Sequence, residues 1–140
     1  MTDPLSEVDG AEKWEVQLRK GTLELAILAA LWNGPLYGLE ILRNLESGAQ
    51  LVVVEGTVYP LLTRLRSVGL LTSEWVESDS GHPRKYYRLT DAGRQRALAL
   101  ARVWTRFSEN ISSALAPLGL SAPSADAPRS SSQLKSGKPA

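Results

Sequence analysis

Ala97, Leu100, Trp104, Phe107, Ile111 and Ala114 fall at successive intervals of 3, 4, 3, 4 and 3 residues. That spacing is the seam of a coiled coil, sustained over about two and a half heptads. Thr90 is suited to cap the helix, and Asp91 favours its positive end, so the helix is expected to run to about Leu115. Roughly 25 helical residues extend about 37 Å, longer than a domain of this size can cover. The chain has 140 residues, enough for one domain plus tails. The outer seam therefore needs a partner, and the same helix of a second copy is the economical choice. The alternative is a helix that folds back on its own core. Leu100, Trp104, Phe107 and Ile111 are the candidate dimerisation residues.

A second stretch, Glu55 to Leu71 (EGTVYPLLTRLRSVGLL), gives that rod something to carry. Val58, Leu61, Leu62, Leu65 and Val68 form one apolar face at helical spacing. Tyr59, Thr63, Arg64, Arg66 and Ser67 occupy the other, which holds no acid. Pro60 is tolerated in a first turn, so the helix is expected to start near Gly56 or Thr57, with Thr57 as cap. Gly69 should end it in a left-handed turn. A short helix with arginines and hydrogen-bonding groups on one side fits a DNA major groove. The plainer alternative is a half-buried helix whose arginines are only solvated.

Other elements follow in order. Residues 1–9 read as flexible, and 10–19 as an extra short helix with Trp14 and Leu18 on one side. Thr22 is the expected cap of a core helix, LELAILAALW, with Leu25, Leu28, Ala29 and Trp32 on one face and Leu23, Ile27 and Leu31 beside it. Asn33-Gly34-Pro35 ends it. A helix from about Tyr37 to Glu46 places Gly38, Ile41, Leu42 and Leu45 together; Gly38 would let another helix approach closely. Leu51–Val54 (LVVV) has strand composition. After Gly69, LLTSEWVES and PRKYYRLT read as two strands around a turn holding His82, with Arg84 and Lys85 beside it. Helix, turn, helix and basic hairpin together make a winged helix-turn-helix.

Composition removes several classes of function. There are no cysteines and one histidine, His82, so no metal site or cofactor is expected. No carboxylate pair, nucleophile–base set or phosphate-cradling glycine loop points to an enzyme. No apolar run is long enough for a membrane span, and the acidic start MTDPLSEVDGAEKWE does not read as a signal peptide, so a cytoplasmic protein is expected. Net charge is only +1, but from Thr57 to Arg106 nine basic residues face four acids. A locally basic segment suits contact with phosphate.

The motifs RKGTLELAILAAL, GPLYGLEIL, EGTVYPLLTRLRSVGLL and RKYYRLTDAGR, spread from about Leu18 to Leu115, resemble those of PadR-family transcriptional regulators. One departure is Leu36-Tyr37-Gly38-Leu39, where the aromatic precedes the glycine instead of following it. The resemblance implies a mainly α fold with a small β-hairpin wing, a winged helix-turn-helix plus a long C-terminal dimerisation helix. It implies a dimeric repressor on palindromic operator DNA. In some members a pocket lined by the last helix takes a small aromatic effector, for which Trp104 would be a stacking plate; the alternative is that Trp104 is ordinary dimer packing. The expected division is a flexible N-terminus over 1–9, a DNA-binding domain over 10–89, a dimerisation helix over 90–115 and a disordered tail over 116–140. Thr63 and Arg64 are the candidates for base edges, and Thr57, Tyr59, Arg66, Arg84 and Lys85 for phosphates, with His82 at the wing tip. The rival function is a winged-helix protein-interaction module without sequence-specific DNA binding.

Overall fold

A computed structural model of the chain describes residues 4–48 and 55–120. The elements are α1 (Pro4–Ala30), β1 (Leu36–Tyr37), α2 (Gly38–Ser47), α3 (Glu55–Ser67), β2 (Leu71–Val76), β3 (Arg84–Leu89) and α4 (Asp91–Ala114). A turn of 3-10 helix follows at Ala116–Leu118, where the tail was expected to begin. The strand expected at Leu51–Val54 and the tail beyond Leu120 lie outside the described residues. Two compact units divide the chain, Met1–Arg102 and Val103–Ala140, and the division falls inside α4.

α1 corrects two expectations. It starts at Pro4 and runs unbroken through Gly21, so the segment to residue 9 is not separate and Thr22 is not a cap. The Thr22 hydroxyl instead donates to the Leu18 carbonyl one turn back, at 2.9 Å. Glu15 and Arg19 add an ion pair of 3.3 Å across the same turn spacing. Gly21 costs the helix about 1 kcal/mol relative to alanine. That cost is offset where Leu23, Ile27, Leu28 and Leu31 become fully buried just beyond it. The segment expected to be a core helix, apolar nearly all round, is also exposed along part of its surface. Leu23, Ile27 and Leu31 point into the core, whereas Ala29 and Trp32 are exposed.

α2 closes over this stripe with Gly38, Ile41, Leu42 and Leu45, the face anticipated from spacing. Its start is fixed by Glu40, whose Oε1 accepts the Tyr37 amide at 3.1 Å. α3 contributes Val58, Leu62 and Leu65. Since α3 opens at Glu55, Thr57 lies within its first turn and does not cap it. Glu55 also puts an acid into a helix expected to be free of them on its exposed side. Gly69, at φ 84°, ends α3 as anticipated. The Leu70 amide reaches back to the Leu65 carbonyl (3.0 Å) and the Gly69 amide to Arg66 (3.1 Å), the paired bonds of a Schellman turn. Val68, counted on the apolar face, is carried out into solvent by this turn.

The sheet has three antiparallel strands in the order β1-β3-β2, one more than the hairpin alone. β3 is central, pairing Leu36 with Tyr87 on one side and Leu71 with Leu89 on the other. Alternation along β3 buries Tyr87 and Leu89 against the helices and leaves Arg84 and Arg88 exposed. Thr90 caps α4 as expected: its hydroxyl accepts the Gly93 amide at 3.0 Å and donates to the Gly69 carbonyl at 2.7 Å. No helix among the described residues is long and apolar enough to cross a membrane.

Candidate nucleic-acid interface

Three apolar residues hold α3 by one side, and 100° per residue sets what faces water. Gly56, Pro60, Thr63 and Ser67 lie on the exposed side, flanked by Arg64 on one edge and by Tyr59 and Arg66 on the other. Pro60 stands in the second turn rather than the first, and it has no amide to offer the Gly56 carbonyl. The exposed surface of α3 is therefore made of small side chains, so a ligand could come close to the backbone. Thr63 directs its hydroxyl to the Tyr59 carbonyl at 3.1 Å, and Ser67 to that of Arg64 at 2.7 Å.

The flanking cations are not equivalent. Arg66 NH1 donates to Ser73 Oγ of β2 at 3.3 Å, which binds the end of α3 to the sheet. Arg64, expected at base edges, is turned toward α1, where its NH2 donates to Glu24 Oε1 at 3.2 Å. The other oxygen of Glu24 accepts from Arg96 Nε of α4 at 2.8 Å. Burial alone would raise the Glu24 carboxyl. The hydrogen bonds and charges of Arg96 and Arg64 more than offset it, holding the group below its ordinary value.

Tyr59 rests on the α2 glycine: a Cβ at Gly38 would lie 2.5 Å from Tyr59 Cε1. Burial, then the charge of Glu55, pushes the Tyr59 phenol above its usual value. Burial also raises Tyr87, with Arg66 acting against it and Tyr59 with it. Both phenols therefore keep their protons at neutral pH and can donate hydrogen bonds.

The wing tip is organised by Ser78, whose hydroxyl donates to the His82 carbonyl at 2.6 Å and meets Ser80 Oγ at 2.7 Å. His82 is exposed on this turn. Arg84 lies over the Tyr37 ring, 4.6 Å from its centroid, and Tyr37 meets Tyr86 edge-on at 5.5 Å. Lys85 Nζ stands 5.8 Å from both the Trp75 and Tyr87 rings. Arg84 and Lys85 are thus laid on aromatic surfaces, which restrains their long stems.

Sequence reasoning found the wing cations but not what orients them. Neither Tyr37 nor Glu24 is among the candidate site residues that the sequence offers. A signal for Glu24 did exist, since it is a single acid inside the apolar run LELAILAALW. On α4, Trp104, Phe107 and Ile111 are 45%, 53% and 46% exposed, while Leu100 is half-buried against the core. Trp14, Val16 and Leu18 of α1 are exposed as well.

Residues 27–99 match the Transcriptional regulator PadR-like family. Among solved structures, the chain is 45% identical to a PadR-like transcription factor from Bacteroides fragilis, covering 71% of this chain and 96% of that one, with a TM-score of 0.59. A PadR family transcriptional regulator from Eggerthella lenta is 33% identical over 79% of this chain and 96% of its own, with a TM-score of 0.72. A PadR-like transcriptional regulator from Bacillus cereus is 32% identical over 71% and 96%, with a TM-score of 0.64. An uncharacterized protein of Lysinibacillus sphaericus is 27% identical over 94 residues, covering 66% of this chain and 86% of that one.

Proposed function

The chain belongs to the PadR-like family of transcriptional regulators, and on that premise we propose that it is a homodimeric repressor of palindromic operator DNA. The observation that carries this reading is the exposed side of α3, made of small and hydroxyl-bearing residues and tied by Arg66 to a wing whose Arg84 and Lys85 lie on aromatic rings. In this account α3 enters the major groove, and Thr63 faces base edges. Thr57, Tyr59 and Arg66 meet phosphates, joined by His82, Arg84 and Lys85 from the wing. Arg64, engaged by Glu24, is left out of the base-reading set.

Self-pairing through Leu100, Trp104, Phe107 and Ile111 would set two copies of α3 about one turn of DNA apart, roughly 34 Å. Binding would then block a promoter. An aromatic effector stacked on Trp104 would act on this same seam and release the operator.

Selection of bound sequences from a random duplex pool tests the reading. An inverted repeat with half-sites about 10 base pairs apart is the expected outcome. A protein that is monomeric at micromolar concentration and enriches no duplex would instead be the protein-interaction module that the same fold allows.

A further inference from the structure

Glu24 is nearly enclosed: 17% of its side chain is exposed, and both carboxylate oxygens are used. One oxygen serves Arg64 of α3 and the other serves Arg96 of α4. As a source of stability the cluster is weak, because Arg64 and Arg96 are 58% and 49% exposed and exposed ion pairs contribute little. Its placement is more informative. The exit of α3 is already joined to the start of α4, where the Thr90 hydroxyl donates to the Gly69 carbonyl and Gly93 packs on the Leu70 carbonyl. Val58, Leu62 and Leu65 of α3 share the apolar core with Ala97 of α4, but apolar packing is non-directional and leaves the angle between the helices to the polar contacts. The Glu24 bridge adds a second point farther along both, and two points fix an angle.

The geometry points to Glu24 as a positioning residue for operator reading: by holding Arg64 and Arg96 together it fixes α3 against the first turns of α4, and so limits the half-site spacing that a dimer accepts. This rests on the operator reading above. In a dimer paired through α4, a few degrees of freedom between α3 and α4 would become a variable distance between the two reading helices. The bridge removes that freedom without touching DNA.

Full-length wild type, Glu24→Gln and Arg96→Gln are compared on duplexes from the selection, with the half-sites moved together or apart by one and two base pairs. All three proteins should prefer the same half-site sequence. Both variants should lose roughly fivefold or more of the wild-type preference for its own spacing. An unchanged spacing preference in Arg96→Gln overturns the proposal. So does a changed base preference in Glu24→Gln, which would return Arg64 to the base edges.

Denaturant unfolding separates the bridge from the operator reading. Arg64→Gln and Arg96→Gln should be coupled by roughly twofold or more in the unfolding constant when Glu24 is present, and additive when it is Gln. Additivity in both backgrounds would overturn the bridge. A wild type that selects no duplex would overturn the operator reading, and the spacing role with it, whatever the coupling.

Discussion

The ring of Tyr59 on α3 stands where a side chain on Gly38 of α2 would have to go, with Cε1 at 2.5 Å and the hydroxyl oxygen at 2.8 Å from that Cβ position. The obstacle is the free end of a half-exposed ring, which can swing aside. Gly38→Ala should therefore change stability by less than about 1 kcal/mol. Its effect should fall on DNA instead, because Tyr59 is displaced from the phosphate contact proposed for it. Losing one hydrogen bond to a charged group corresponds to roughly tenfold in affinity. Thermal unfolding and a gel shift, run on the same preparation, check both halves.

Gly93 presents the opposite case. A Cβ there would be driven into the Leu70 backbone carbonyl, which is also held by the Thr90 amide at 3.1 Å and cannot turn away. Gly93→Ala should lower stability by about 3 kcal/mol, measured as a shift of the denaturant midpoint.

Glu24 makes stability depend on acid. Its folded-state value lies below the ordinary 4.5, so its contribution is fully present above 4.5 and disappears as pH falls through the lower folded value. Unfolding midpoints of wild type and Glu24→Gln should differ at neutral pH and converge below pH 4.5. A gap that stays constant across that range would mean that the carboxylate is not what the two arginines stabilise.

Lys85→Ala should weaken binding evenly over all duplex sequences and make the slope of log affinity against log salt shallower by roughly one. Titration at several salt concentrations measures this. An unchanged slope would remove Lys85 from the phosphate contacts.

Phe107→Glu places a charge in the exposed seam of α4. The full-length variant should sediment as a monomer under conditions where wild type is expected to sediment as the proposed dimer. Its operator affinity should fall by about 100-fold or more, because the second half-site no longer adds to the first.

Local pattern made much of this molecule legible. Periodicity placed α2 and the buried side of α3, Gly69 ended α3 where a left-handed turn was needed, and Thr90 capped α4. What it could not supply were relations between residues distant in the chain. Whether Thr22 caps a helix or lies inside one depends on what precedes it and on burial beyond Gly21, and burial prevailed. β1 is two residues long and exists only because β3 offers it a partner, so no strand signal could mark it. Arg64 has the residue type of a base reader, but its direction is set by Glu24, forty positions earlier. Of the candidate site, sequence supplied the residues, and tertiary contacts decided where their charges point.

The central place of β3 has a bearing on how such a regulator can diversify. Its register is pinned on one flank by Leu36 and Tyr37 and on the other by every residue of β2. A slip by one position would break both ladders and expel Tyr87 and Leu89 into water. Residues 77–83, by contrast, belong to no ladder. That tip could be lengthened, shortened or recharged while the scaffold beneath it stays unchanged, so the strength of a proposed phosphate grip could be tuned without endangering the fold.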